Sequence, residues 1–330
     1  MYEDIVLQLL DTTPRRPLSV FGVLRGRKTA SVLFAGLEYG ILQWRGLLEG
    51  LSRQQFLQQI EQLTQRGLTV MADERVYLTP LGVREQVAAR ERTVLPENYH
   101  REYDATKFTD RFFLGVQVVS EGLAQNRQYA PVTSDWGTQT WVRNWYRQWH
   151  KQLSAIVDEL TAAFTALPEA QADYLARQLV GHAYNGSLSD TAETPLTGIT
   201  AMSSLLNEIA TKTAQYPALA MLWGGPVTNL SQGALACVAR FKEGVPVATI
   251  ATQVRRKEST INEYIQLEAM LGTPINPAEL MPQTTLDVLT QAWQQGIRDY
   301  QTLMQRAESL TFMQVRLFQI WQLRKESQDE

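Results

Sequence analysis

Cysteine is nearly absent from this chain of 330 residues: Cys237 stands alone, which excludes an intramolecular disulfide and suits a reducing compartment. Its neighbours Leu235, Ala236 and Val238 mark a buried structural thiol and not a nucleophile. Histidine is scarce too. His100, His150 and His182 lie far apart without paired carboxylates at metal-ligand spacing, so zinc or iron chemistry finds no support, and His182 beside Gly181 reads as a helix-end residue. No Gly-x-Ser-x-Gly elbow occurs. Gly22-Val-Leu-Arg-Gly-Arg-Lys-Thr29 invites a phosphate-loop reading that fails, because Arg27 stands where a glycine must let the backbone wrap phosphates, and the residues before it look helical. The expectation is a protein without catalytic residues, cofactor, metal or small-molecule substrate. Apolar runs of the roughly twenty residues that a membrane helix needs are missing, and Met1-Tyr-Glu-Asp-Ile-Val-Leu lacks the positive flank of a signal peptide. A soluble, cytoplasmic protein with no membrane partner is expected. The net charge of -3 denies the chain a basic coat, so any nucleic-acid contact has to use local patches and be modest and salt-sensitive.

What is present is concentrated in Phe241-Lys-Glu-Gly-Val-Pro-Val-Ala-Thr-Ile-Ala-Thr-Gln-Val-Arg-Arg-Lys-Glu-Ser-Thr-Ile-Asn-Glu-Tyr264. Gly244 closes one helix, since glycine tolerates the left-handed backbone of a helix end, and Val245-Pro246 opens the next. Ile250 and Ala251 supply a seam where two helices cross closely, and Ile261, Ile265 and Leu267 to Met270 give the following helix its buried face. The stretch reads as a helix-turn-helix, a unit whose second helix enters the major groove of DNA.

These residues resemble the helicase helix-turn-helix family, found at the C-terminal end of RecQ-type helicases and in bacterial companions such as the YpbB-like proteins. The likeness is carried by Lys242-Glu243-Gly244, Ile250-Ala251, Glu258-Ser259-Thr260-Ile261 and the downstream Gly272-Thr-Pro-Ile275, and more weakly by Arg25-Gly-Arg-Lys-Thr29 and Tyr77-Leu-Thr-Pro-Leu-Gly82. It implies a companion of a RecQ-type helicase acting in DNA recombination or repair. Family members often carry His where Tyr264 stands here, and Glu258, Glu263 and Glu268 add negative charge to the same helix. Ser259, Thr260, Asn262 and Gln266 remain as hydrogen-bonding groups for base edges, with Arg255, Arg256 and Lys257 in the preceding turn as phosphate contacts. A protein-docking hairpin with a solvated basic turn is the alternative.

The fold expected is mainly α in three domains: a winged-helix-like domain with a small β-hairpin over 1–92, a helical middle domain over 93–230, and a helix-turn-helix within a helical domain over 231–330. At the N-terminus, helices over 1–12, Leu18 to Leu24, Ser31 to Leu42 and Ser52 to Arg66 precede two short extended segments, Leu68 to Met71 and Val76 to Thr79. No acidic residue falls between Asp11 and Glu38, while Arg15, Arg16, Arg25, Arg27 and Lys28 do, so Arg25, Arg27 and Lys28 form a second phosphate candidate; a solvated or docking surface is the other reading. In the middle, Asp110 to Gln125 and a long helix from Trp136 to Phe164 are expected. Trp141, Trp145 and Trp149 recur every four residues beside Arg143, Arg147 and Lys151, a pattern that fits a single-strand groove but more often a packed core. Ala183 to Thr200 reads as an exposed loop, Thr284 to Glu308 and Thr311 to Lys325 as a final helical pair, and Glu326 to Glu330 as a frayed tail.

Three functions compete: a non-catalytic accessory with a RecQ-type helicase and its DNA as partners, a sequence-specific transcription regulator, and a protein-only docking scaffold. The two unlike modules and the acidic reading helix favour the first, because a regulator commonly sets two like heads across a symmetric site.

Overall fold

The computed structural model describes residues 2–186, 195–306 and 310–329. They are mainly helical. In chain order come α1 (Glu3–Gln8), α2 (Pro17–Leu24), α3 (Ala30–Glu38) and α4 (Arg53–Gln65), then an antiparallel hairpin of β1 (Thr69–Ala72) and β2 (Arg75–Leu78). Helices α5 (Pro80–Arg92), α6 (Ala105–Leu123), α7 (Trp136–Trp149), α8 (Leu153–Thr165), α9 (Glu169–Arg177), α10 (Pro195–Thr211) and α11 (Pro217–Trp223) follow. The last are α12 (Gln232–Lys242), α13 (Val247–Val254), α14 (Glu258–Leu271), α15 (Gln283–Gln294), α16 (Tyr300–Arg306) and α17 (Phe312–Asp329). No described helix is long and apolar enough to cross a membrane.

These elements divide into two units in a way the linear sequence does not announce. A middle unit takes Met1–Gln8 with Gly82–Val227, and a flanking unit takes Leu9–Leu81 with Thr228–Glu330. The three consecutive domains expected from the sequence, with boundaries after 92 and 230, give way to this interleaved division. The reason is a shared core: Leu33 and Leu37 of α3 belong to one buried cluster with Ile250, Ile261, Ile265, Leu289 and Phe318.

In the flanking unit, Ser52 caps α4 through a reciprocal pair of bonds with Gln55, at 3.2 Å to its backbone N–H and 3.0 Å back from its side chain. Phe56, Ile60 and Leu63 turn inward, where Phe56 meets Phe21 of α2 with ring centroids 5.4 Å apart. The hairpin pairs Thr69 with Leu78 through Ala72 with Arg75, leaving a two-residue turn in which Asp73 and Glu74 both have positive φ, 48° and 59°. Such a turn matches the twist of the strands and makes the connection two residues shorter than the sequence pattern proposes. Arg15 bridges to Val76 on the hairpin and sends its buried guanidinium to the carbonyls of Leu9 at 2.5 Å and Tyr39 at 2.8 Å.

Two sequence expectations change in the C-terminal helices. Thr284 to Glu308 is not one helix, because Gly296 at φ +84° closes α15 and Asp299 caps α16 by accepting the N–H of Thr302 at 3.0 Å; Glu308 lies outside the described residues. The tail expected to fray continues α17 to Asp329, where Glu326 Oε1 accepts from the Trp293 indole at 2.8 Å and Arg298 at 3.1 Å.

The middle unit is organised around the short α11. The tryptophan stripe of α7 lies along it: the indole N–H of Trp141 donates to Leu222 O at 2.9 Å, that of Trp145 to Ala218 O at 2.8 Å, and that of Trp149 to Met221 Sδ at 3.3 Å. The stripe is a packing seam, each ring burying apolar area while its polar edge finds an acceptor. Glycine permits the close approach, since a Cβ at Gly115 would meet Leu222 at 2.8 Å and one at Gly224 would meet Trp141 at 2.6 Å. The single helix expected from Trp136 to Phe164 is interrupted at His150 to Gln152, which lets α7 and α8 each pack on both α6 and α11. The loop expected to run to Thr200 ends sooner, with α10 starting at Pro195; residues 187–194 lie outside the described residues. Glu159 of α8 accepts the N–H groups of Ala218 and Leu219, both at 3.0 Å, and so caps α11 from a different helix.

Replacing Glu159 by Ala leaves those two donors without an acceptor and is expected to lower stability by about 1–2 kcal/mol in urea unfolding, whereas Glu159→Gln, which keeps one oxygen acceptor, should lose less.

Candidate nucleic-acid interface

The sequence motif around residue 250 folds as three successive helices. Gly244 at φ +85° ends α12, with its N–H on Phe241 O at 2.9 Å and that of Val245 on Arg240 O at 3.0 Å. Pro246 then opens α13, and Ile250 and Ala251 are buried in the cluster that also holds Ile261 and Ile265 of α14. Arg255 ends α13 in the left-handed region, φ 52° and ψ 48°, and the N–H of Arg256 closes the turn on Ala251 O at 3.0 Å.

An arginine at that position is unfavourable by about 1 kcal/mol relative to glycine, because Cβ crowds the following carbonyl. The turn thereby carries three consecutive cations, Arg255, Arg256 and Lys257, all exposed and none in an ion pair among the described residues. An unpaired cation in solvent keeps its charge available to an anion.

Helix α14 offers less to a groove than its sequence position implies. It packs against α3, α12, α13 and α17, and its second half is buried on several sides through Leu267, Ala269 and Met270. Arg324 of α17 closes its C-terminal end by donating to Ala269 O at 2.7 Å and Gly272 O at 2.8 Å. Fully exposed positions are confined to Glu258, Ser259 and Glu263, while Thr260, Asn262 and Gln266 are half-buried and Gln266 donates to Asn262 O at 3.2 Å. Tyr264, at the place where the resembled family often has His, packs against the core cluster.

The N-terminal basic segment lies in the same unit but is differently engaged. Arg25 is exposed, yet its guanidinium donates to the carbonyls of Glu49 and, at 3.2 Å, Leu51. Arg27 is exposed with its guanidinium 5.6 Å from the Phe21 ring centre, and Lys28 is exposed beside it. Arg15 is removed from the surface altogether by the bonds described above. Cys237 is buried, and His182 sits beyond α9 in the Gly181 to Tyr184 turn, not at a helix end, with Nδ1 3.1 Å from Glu121 Oε2. Among the described residues no group of His, Cys, Asp and Glu is arranged to hold a metal ion. No protein-family model matches this chain, nor does any curated protein or solved structure.

One surface went unremarked in the sequence. Helix α4 is buried only along Phe56, Ile60 and Leu63, and its outer side presents Gln54, Gln58 and Gln62 at four-residue spacing, exposed and without side-chain hydrogen bonds among the described residues. The repeat of glutamine was its signal; attention to the apolar face alone passes over it. A glutamine amide both donates and accepts, the pattern that pairs with an adenine edge in the major groove.

Arg255→Gly is expected to raise stability by about 0.5–1 kcal/mol by relieving the left-handed residue. The shift in urea midpoint at unchanged slope checks it.

Proposed function

We propose that this protein is a non-catalytic accessory that contacts DNA phosphates through the Arg255-Arg256-Lys257 turn of a helix-turn-helix and acts with a RecQ-type helicase in DNA recombination or repair. The observation that carries the DNA contact is the exposed, unpaired cation triplet at the α13–α14 turn, built on a left-handed arginine. The helicase partnership rests on the resemblance of Lys242-Glu243-Gly244, Ile250-Ala251 and Glu258 to Ile261 to the helicase helix-turn-helix family. In this reading α2 to α4 with the β1–β2 hairpin form a winged helix, and Arg25, Arg27 and Lys28 give a second, weaker phosphate contact.

Contact with phosphates positions a protein without selecting a sequence. Base readout by α14 is disfavoured because its exposed stretch holds two carboxylates, Glu258 and Glu263, beside the single hydroxyl of Ser259, and this argues against the sequence-specific regulator. Glu258 and Glu263 also favour a second reading, in which α14 docks on a basic protein surface and no DNA is bound.

Salt dependence separates the two. Each phosphate neutralised on duplex DNA contributes about 0.9 to the slope of log K against log salt. Replacing Arg255 by Gly and Arg256 and Lys257 by Ala together is expected to reduce that slope by about 2–3 in fluorescence anisotropy with a labelled duplex. A slope equal to that of the parent protein removes the phosphate contact and leaves the docking role.

A further inference from the structure

The middle unit contains a cavity of about 510 Å³ between α6, the connection after it and α7. That volume lies within the range of small-molecule sites. Its floor is apolar: Leu114 and Val142 are 3 % and 1 % exposed, and Val118 lies beside them. Gly122 lets the Tyr146 hydroxyl and Leu153 approach α6 closely, since a Cβ there would come within 2.9 Å of each.

One wall is held in place before any ligand arrives. Gln117, buried on α6, donates to Ala130 O at 3.0 Å and accepts the N–H of Val132 at 2.8 Å, which fixes the segment carrying Tyr129 and Pro131 against the helix. Such a wall needs little ordering on binding, which lowers the entropic cost.

The charged side chains that line the opening are two arginines. Arg127, Arg143 and His150 are exposed on the rim, and neither arginine is in an ion pair among the described residues; Arg143 leans over the Trp136 ring at 5.5 Å. The nearby carboxylate is already engaged, since Glu121 Oε2 accepts from Asn126 Nδ2 at 2.6 Å and faces His182 Nδ1 at 3.1 Å. Burial, followed by Glu121 and Tyr146, pushes the Tyr129 phenol above its ordinary value, so it remains a neutral hydroxyl donor in the cavity wall at pH 7.

From the apolar floor, the pinned wall and the two unpaired rim arginines, we propose that this cavity binds a small amphipathic anion, with a flat ring or short acyl body seated on Leu114, Val118 and Val142 and a carboxylate, sulfonate or phosphate held by Arg127 and Arg143. Arginine suits that role because its planar fork meets two oxygens of such a head group at once. The site is independent of the DNA contact proposed above.

The test uses the full chain and the probe 8-anilinonaphthalene-1-sulfonate, followed by its own emission and by energy transfer from the tryptophans of α7. One saturable site is expected, displaced by decanoate. Arg127→Gln with Arg143→Gln should weaken probe binding at least tenfold with the circular dichroism spectrum unchanged, and Val118→Phe, which fills the floor, should abolish it. The uncharged analogue N-phenyl-1-naphthylamine should be insensitive to the arginine changes. Non-saturable binding, or equal affinity for the sulfonate in the parent and the double arginine variant, overturns the proposal.

Discussion

The flanking unit depends on the burial of α14. Ile261 and Ile265 are wholly enclosed, each contributing about 2 kcal/mol of burial, and the helix serves as the post against which α3, α12, α13 and α17 assemble. Because α3 comes from the N-terminal quarter of the chain and the others from the C-terminal third, this one helix makes a single core from two distant segments. The same burial restricts what α14 can do outside. A helix covered along its C-terminal half has only its opening to present, so the connection to α13 becomes the most accessible part of the motif.

Much of that motif was legible in the chain. Gly244 and Pro246 mark a stop and a start through backbone preference, and Ile250, Ala251, Ile261 and Ile265 mark the seam through spacing; the helices fall where those signals put them. The hairpin and the Ser52 cap were legible for the same reason, being local chemistry. What was not legible depends on partners far away in sequence. The tail of α17 is held by Trp293 and Arg298, the end of α14 by Arg324, and the chain near Leu9 by Arg15, whose place in a basic run gave no hint of burial. The break at His150 to Gln152 carries neither glycine nor proline; it follows from two helices having to meet the same pair of neighbours. Interleaving of the units is a further long-range result, since no composition shift in the chain reports which helix α3 will choose.

The candidate site divides along the same line. Exposure of Arg255, Arg256 and Lys257 follows from a turn that can be read locally, whereas the differing fates of Arg15, Arg25 and Arg27 do not, because each is set by a carbonyl or ring contributed from elsewhere. Tryptophan spacing in α7 predicted a shared face but left its occupant open, and the answer is the backbone and sulfur of α11. With that face committed to packing, the adjoining face of α7 lines the cavity through Val142, Arg143 and Tyr146. The two units thus offer chemically different surfaces, one a solvated cation turn and the other a rimmed apolar cavity.

The central claim, that DNA is held at the α13–α14 turn, is tested most directly by amide hydrogen exchange of the full chain with and without a duplex. The account predicts slowed exchange at residues 255–259 on DNA addition, with 265–271, in the core-packed half of α14, unchanged. Exchange at 255–259 that is identical with and without saturating DNA would contradict it.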